Sequence, residues 1–159
     1  ESSFEEEVLI DLFEEHQPSL YGLRCMYEAL VEAGCSPEAV MLDLYASGES
    51  VKFAEYGRDL GAFERMKRAS QTAQFGHLVW AKQYFDHDKT MENMRKMIGN
   101  IKNGSFINAL KAERGKNRRQ VEEVWEDNNE HELIKREHKL YQLLGRRSAD
   151  APAPGKLGD

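Results

Sequence analysis

The sequence contains few cysteines and no long apolar run. Two of its 159 residues are cysteine, Cys25 and Cys35. They lack the dense spacing of a disulfide framework and form neither a Cys-x-x-Cys motif nor a zinc pattern with histidine, so we expect reduced thiols in a cytoplasmic protein. No apolar run approaches the roughly 18 residues that span a membrane, and the acidic first residues are unlike a signal peptide. The sequence therefore predicts no membrane partner.

Positive charge is also scarce. The 22 lysine and arginine residues are outnumbered by 28 acidic residues, which gives a net charge of −6 and a pI near 5.5. Because phosphate backbones are bound by basic surfaces, this balance argues against nucleic acid as a partner. The two basic clusters, at residues 65–68 and 116–119, are interpreted as solvated helix ends.

Several catalytic and nucleotide-binding motifs are missing from the sequence. It has no His-x-x-x-His pair and no recognisable Ser/His/Asp grouping, so nothing indicates a hydrolase. It has neither a G-x-G-x-x-G sequence nor a P-loop, so nothing in it predicts binding of a dinucleotide. The five histidines are scattered along the chain: His16, His77, His87, His131 and His138.

Strand signals are nearly absent, because no stretch alternates cleanly between apolar and polar residues. Apolar residues instead recur with the 3.6-residue helical period throughout the chain. With 40 % hydrophobic and 31 % charged residues, the composition is ordinary for a globular protein. We therefore predict one all-α domain, a helical bundle, over residues 1–145. The Ala-, Pro- and Gly-rich residues 146–159 are predicted to form a disordered tail.

Turn and capping signals divide the helical pattern into segments. Pro18 interrupts the first helix, Gly34 ends the second, and Ser36-Pro37-Glu38 starts the third. Gly57 and Gly61 are expected to split the next stretch into two short helices. The predicted helices are residues 4–16, 19–33, 36–46, 50–68, 88–102, a short helix that begins near residue 106, and residues 117–144.

Asp11 and Glu15 are the first candidate site residues. Carboxylates four positions apart stand on one helix face, and in a shielded site they repel each other unless a cation or a shared proton lies between them. Mg²⁺ suits such a pair, because it prefers oxygen ligands and fills its remaining positions with water and substrate. A run of acids is also typical of a solvated helix face. Spacing alone leaves both interpretations open.

The segment around Asp11 and three further stretches match one known family in the same order along residues 3–144. They are "SFEEEVLIDLFEE" (residues 3–15), "LVEAGCSPE" (30–38), "SQTAQFG" (70–76) and "MRKMIGNIKNGSFINAL" (94–110). Together they resemble the C-terminal helical "knotted" domain of the ketol-acid reductoisomerases. Glu130-His131 also falls where the family has a similar pair.

The resemblance implies an activity and partners. These enzymes use NADPH and Mg²⁺ to rearrange and reduce acetohydroxy acids in branched-chain amino acid biosynthesis. A domain of this short type pairs with a second copy, so that two chains intertwine as a homodimer and share active sites. The nucleotide-binding domain is expected upstream of residue 1 or on another chain, so NADPH would be bound only through a domain not in this chain.

The resemblance also implies roles for four residues. Asp11 and Glu15 correspond to family carboxylates that bind Mg²⁺, and Asp43 corresponds to a third ligand on the next helix. These three residues are the predicted metal and catalytic residues. Ser70 corresponds to the serine that hydrogen-bonds the substrate's carboxylate.

This sequence departs from the family pattern near the expected site. Ser47 stands where the family has a further acid, and Gln74 stands where it has a glutamate. Glu49 lies about 200° around a helix from Ser47, so it can replace the missing acid only if the helix ends at Ser47-Gly48. Fewer negative ligands weaken the attraction for Mg²⁺.

Three functional hypotheses follow. The leading one is a C-terminal metal-binding, substrate-binding and dimerisation domain of a reductoisomerase-like NAD(P)H-dependent oxidoreductase, acting on a 2-keto or acetohydroxy acid with Mg²⁺. The alternative is a non-catalytic dimerisation or interaction module derived from this domain, which the missing nucleotide motif and the lost acid favour. The third is a helical dehydrogenase domain of the 6-phosphogluconate type, which shares the general architecture but not these motifs.

Overall fold

A computed structural model of the chain describes residues 3–116 and 118–147. Within these ranges every regular element is a helix and no strand occurs, which confirms the predicted all-helical class. The chain divides into two compact units. The first contains the described residues up to Met41 together with those from Lys96 onward, and the second contains Leu42–Arg95.

The first unit is built from α-helices, and one of them, α6 (His87–Lys102), also extends into the second unit because the boundary falls within it. Its helices are α1 (Phe4–Glu15), α2 (Ser19–Glu32), α3 (Pro37–Met41), the end of α6 (His87–Lys102), α7 (Ser105–Arg114), α8 (Arg119–Glu130) and α9 (Glu132–Leu143).

The second unit mixes α-helices with less common helix types. Its elements are a π-helical turn (Leu42–Ala46), α4 (Glu49–Leu60), a 3₁₀ turn (Glu64–Arg68), α5 (Gln71–Leu78), a second 3₁₀ turn (Trp80–Tyr84) and the start of α6.

Local signals set several helix ends where the sequence predicts them. The Ser3 hydroxyl accepts a hydrogen bond from the Glu6 amide at 3.2 Å, and the Glu6 carboxylate accepts one from the Ser3 amide at 2.8 Å. This reciprocal pair is a capping box at the start of α1. Gly34, Gly48 and Gly104 have φ angles of 97°, 87° and 78°. Glycine adopts this left-handed conformation at little steric cost, so the chain turns there.

The core of the first unit lies where α2, α3 and α9 meet. Its buried apolar residues are Tyr27, Val40, Met41, Leu133 and Leu140. At the edge of this core, the Arg136 guanidinium pairs with Glu132 at 2.6 Å and with Glu38 at 3.4 Å, which joins α9 to α3.

The second unit buries little apolar surface. Ala46 and Met66 are its buried apolar residues among those described. Many large apolar side chains of this unit are exposed instead: Val51, Leu60, Phe63, Phe75, Leu78, Val79, Trp80, Tyr84 and Phe85. Where such side chains form one contiguous patch, the patch marks a surface that another molecule covers.

The prediction of one long helix over residues 117–144 is wrong. The helical pattern breaks at His131, whose ψ angle of 140° is extended and separates α8 from α9. The His131 Nδ1 atom accepts a hydrogen bond from the Leu133 amide at 3.2 Å, so this imidazole caps the start of α9. Apolar periodicity continues across such a break, which is why the pattern alone missed it.

Two predicted boundaries differ from the structure, and one lies beyond it. Gly57 does not interrupt a helix, because α4 continues through it and ends at Leu60, with Gly61 as its C-terminal cap. The helix predicted over residues 36–46 is α-helical only to Met41 and then becomes π-helical. Most of the predicted tail, residues 148–159, lies outside the described residues.

In the parts of the chain that the structure describes, no helix has the length and apolar character needed to cross a membrane.

Candidate metal and substrate site

Helix α1 carries a concentration of negative charge. Its twelve residues, FEEEVLIDLFEE, include six carboxylates and no lysine or arginine. Asp11 and Glu15, here called the carboxylate pair, are both exposed. Glu14 and Glu15 lie in the last turn, where the helix dipole favours cations over anions. A bound cation would therefore relieve both the mutual repulsion of these groups and their unfavourable position in the helix.

The carboxylate pair differs from acidic residues on other helices. Glu28, Glu123 and Glu132 each accept a hydrogen bond from an arginine four positions away, at 2.8, 2.7 and 2.6 Å. Neither member of the carboxylate pair has an ion pair or side-chain hydrogen bond with another described residue. Their oxygens are thus available to a ligand from outside the chain.

Asp43 lies on an unusual backbone. It is exposed and belongs to the π-helical turn, whose last hydrogen bond runs from the Ser47 amide to the Leu42 carbonyl at 2.9 Å. The π-helical turns found inside α-helical segments occur frequently at functional sites, because the extra residue changes which side chains share a helix face. No local pattern in the sequence predicts this turn.

The helical segment that carries Asp43 ends before Glu49. This is the condition under which Glu49 can replace the acid missing at Ser47. The π-helical turn closes at Ala46, Gly48 is left-handed, and α4 begins at Glu49. The Ser47 hydroxyl accepts a hydrogen bond from the Glu49 amide at 3.3 Å. Because Glu49 starts a new helix, the separation of about 200° from Ser47, which holds for one continuous helix, does not exclude Glu49 as a ligand.

Ser70 caps the start of α5. Its hydroxyl oxygen accepts a hydrogen bond from the Ala73 amide at 3.1 Å. The hydroxyl hydrogen is therefore left to donate to an acceptor such as a carboxylate. Gln74, one turn further on, donates a hydrogen bond from its side chain to the Ala69 carbonyl at 2.9 Å. Its amide thus stabilises the turn before α5.

The predicted site residues are divided between the two units. Asp11 and Glu15 belong to the first unit, and Asp43 and Ser70 belong to the second. Across residues 3–116 and 118–147, no three His, Cys, Asp or Glu side chains cluster closely enough to hold a metal ion. The carboxylate pair is the part of the predicted ligand set that one element brings together.

A cavity of about 630 Å³ in the first unit was not predicted from the sequence. Apolar side chains of α2, α8 and α9 form most of its wall, including Leu23, Trp125 and Leu133. Glu113 reaches this wall and accepts hydrogen bonds from the Gln120 amide at 2.6 Å and the Val121 amide at 3.1 Å, which caps α8. None of the four predicted site residues lines this cavity.

Comparison with known protein families identifies the family to which the chain belongs. The sequence profile of the ketol-acid reductoisomerase C-terminal domain matches residues 4–145. The chain belongs to this family. This match confirms the resemblance that the sequence stretches indicated. The hypothesis of a dehydrogenase domain of the 6-phosphogluconate type is set aside.

Curated relatives carry the same family name. A protein of Saccharolobus solfataricus named "Putative ketol-acid reductoisomerase 3" is 37 % identical over 153 residues, which cover 94 % of this chain and 46 % of that protein. Proteins named "Ketol-acid reductoisomerase (NADP(+))" from Corynebacterium urealyticum and Methanopyrus kandleri are each 28 % identical over 148 residues. These matches cover 90 % and 91 % of this chain, and 43 % and 44 % of the relatives. The chain thus spans less than half the length of the curated relatives it matches.

Proposed function

We propose that this chain is the metal-binding, substrate-binding and dimerisation domain of a ketol-acid reductoisomerase-like oxidoreductase. The proposal rests on one combination of observations. The family match covers nearly the whole chain, and the carboxylate pair, on a helix without basic residues, has no ion-pair partner among the described residues. Exposed carboxylate oxygens are the ligands that Mg²⁺ prefers.

In this proposal Asp11, Glu15 and Asp43 hold Mg²⁺. Glu49, at the start of α4, is the acid best placed in sequence to replace the carboxylate that Ser47 lacks. When bound, the metal ion would polarise a carbonyl or alkoxide oxygen of the substrate. NADPH would be bound by a domain outside this chain, since the chain has no nucleotide motif.

Ser70 has a separate role in the proposal. Its hydroxyl oxygen accepts the Ala73 amide hydrogen, which fixes the oxygen at the start of α5. Its hydrogen can therefore be donated to the carboxylate of a 2-keto or acetohydroxy acid. The nearby helix N-terminus favours the same negative charge.

We also propose that the domain acts as a homodimer. In the second unit the residues between Phe75 and Phe85, here called the aromatic segment, include Phe75, Trp80, Tyr84 and Phe85, which are 57 %, 56 %, 77 % and 59 % exposed. A unit whose described core contains two buried apolar residues needs further burial to be stable. A second copy of the chain would supply it.

A non-catalytic dimerisation module is the second candidate. Two observations favour it: Ser47 replaces a ligand acid, and no cluster of three ligand side chains forms among the described residues of one copy. In this case the exposed apolar side chains would keep their role in association, and the carboxylate pair would be a solvated helix face.

Kinetics of the full-length gene product separate the two candidates. We expect Mg²⁺-dependent oxidation of NADPH with an acetohydroxy acid or a simple 2-keto acid. The reaction should fall by about a hundredfold or more in Asp11→Asn, because a ligand to the metal ion is lost. Glu14→Gln is the matched control on the same helix and should retain activity. Absence of turnover with either substrate class in the wild type would favour the non-catalytic module.

A further inference from the structure

Residues just after helix α1 connect its C-terminal end to other helices of its unit. No residue of α1 is fully buried, and Phe4 near its start is 80 % exposed. His16 and Gln17, which follow its last turn, make two such contacts. The His16 ring lies edge-on against the Phe106 ring of α7, with 4.2 Å between the ring centroids and an interplanar angle of 68°. The Gln17 side chain approaches the Met97 sulfur of α6 at 3.9 Å.

The orientation of the His16 ring is fixed by a second contact. Its Nδ1 atom is hydrogen-bonded to the Leu12 carbonyl oxygen, one turn back in α1. A carbonyl oxygen only accepts, so Nδ1 carries the hydrogen and donates it. The same imidazole thus bonds to the last turn of α1 and packs against α7.

These contacts lie next to the carboxylate pair. Glu15 is the neighbour of His16 in the chain, and Asp11 is the neighbour of Leu12, whose carbonyl accepts the imidazole hydrogen bond. At 1.5 Å of rise per residue, the pair lies within about 8 Å of His16 along the helix axis. Rotation or tilting of α1 about its attached end would move both carboxylates together.

We propose that His16 is a positioning residue for the carboxylate pair, holding the last turn of α1 against α7 so that Asp11 and Glu15 point to one place. This inference rests on the proposed Mg²⁺ function and adds a residue to it. His16 itself is not a ligand in this account, because its Nδ1 hydrogen is donated to the backbone and its ring edge packs on Phe106.

Three substitutions separate the two contacts of His16. His16→Ala removes both, His16→Phe keeps a ring against Phe106, and His16→Gln keeps a donor for the Leu12 carbonyl. Gln17 already makes an equivalent bond, from its side-chain amide to the Phe13 carbonyl at 3.1 Å. Because residues that orient metal ligands typically affect metal affinity by ten- to a hundredfold, we expect His16→Ala to weaken Mg²⁺ binding about tenfold. The other two variants should recover part of this loss.

The test combines Mg²⁺ calorimetry with amide hydrogen exchange on the full chain. In His16→Ala, exchange in α1 should accelerate by at least about fivefold while exchange in α9 stays at the wild-type rate, which shows that the fold is intact. His87→Ala is the control, since His87 is an exposed histidine of the second unit. It should change neither measurement.

Each outcome decides a separate point. Unchanged α1 exchange in His16→Ala, or unchanged affinity in a chain whose wild type binds Mg²⁺, would overturn the positioning role. If the wild type itself gives no Mg²⁺ heat, the proposed metal function fails. The α1 exchange rates then still decide whether His16 holds this helix.

Discussion

At the scale of single residues, His131 illustrates how one side chain serves two elements. Its Nδ1 accepts the Leu133 amide hydrogen, so its Nε2 carries the ring hydrogen and donates it to Glu28 of α2 at 3.0 Å. The same carboxylate oxygen accepts a hydrogen bond from Arg24 at 2.8 Å. One imidazole therefore starts α9 and joins it to α2.

We predict that His131→Ala destabilises the chain by about 1 to 2 kcal/mol, because a helix cap and one partly exposed hydrogen bond are lost. His131→Asn should recover about half of this, since asparagine is also a good capping residue. Urea unfolding measures these changes in stability, and His77→Ala, which replaces an exposed histidine of α5, is the control. Equal stability of His131→Ala and the wild type would contradict the capping role.

The Glu28 carboxylate predicts a pH dependence. The hydrogen bond from Arg24, assisted by that from His131, lowers the pKa of Glu28 below its ordinary value of 4.5. A lowered pKa in the folded state means that the contribution to stability is complete above the unfolded value and is lost as the pH falls through the folded value. The loss therefore occurs below about pH 4.5.

Glu28→Gln tests this dependence, because it keeps the shape of the side chain and removes the titrating group. The decrease in melting temperature between pH 5 and pH 3 should be smaller in Glu28→Gln than in the wild type. Arg24→Gln should also reduce the decrease, because it removes the largest cause of the lowered pKa. An unaltered decrease in both variants would contradict the assignment.

At the scale of elements, the sequence predicts those boundaries that have a local chemical signal. The capping box at Ser3 and the left-handed Gly34 and Gly104 set helix ends close to the predicted positions. The break at His131 depends on a histidine cap, and the π-helical turn follows Met41 without a cap or glycine at its start. Neither has a local composition signal, so periodicity could not predict them.

Gly57 shows a third reason for a wrong boundary. It lies inside α4, where glycine is about 1 kcal/mol less favourable than alanine. The Arg65 guanidinium stacks on the Phe53 ring, with 4.4 Å between its Cζ atom and the ring centroid. A Cβ atom added at position 57 would lie 2.9 Å from the Nη1 atom of Arg65. The glycine therefore gives space to an arginine, and it does not mark a turn.

A double-mutant cycle tests this relation. In the wild type, Gly57→Ala should change stability little, because the gain in helix propensity is offset by displacement of Arg65 from Phe53. In an Arg65→Ala background the same substitution should stabilise the chain by about 1 kcal/mol. Identical effects in the two backgrounds would show that the side chains do not compete for space.

At the scale of the whole molecule, the sequence predicts which residues are apolar but not which molecule covers them. Phe63 is 82 % exposed, and the aromatic segment is exposed as well. The same limit applies to the candidate site. Spacing predicts that Asp11 and Glu15 share a face, but it cannot predict where Asp43 lies relative to them.

The proposed dimer predicts an effect of substitutions in the aromatic segment. Trp80→Ser should weaken self-association by at least about tenfold, because a large aromatic side chain near the centre of an interface contributes about 2 kcal/mol or more. Lys82→Ala, in the same 3₁₀ turn, is the matched control. Sedimentation velocity measures both variants, and a stable folded monomer of the wild type at micromolar concentration would contradict the proposal.

The most direct test of the account is a calorimetric titration of the chain with Mg²⁺. The wild type should bind the ion, Asp11→Ala and Glu15→Ala should lose most of the binding heat, and Glu14→Ala should retain it. These results would assign binding to the carboxylate pair and not to the general negative charge of α1. Equal and negligible heats from the wild type and Asp11→Ala would contradict the account.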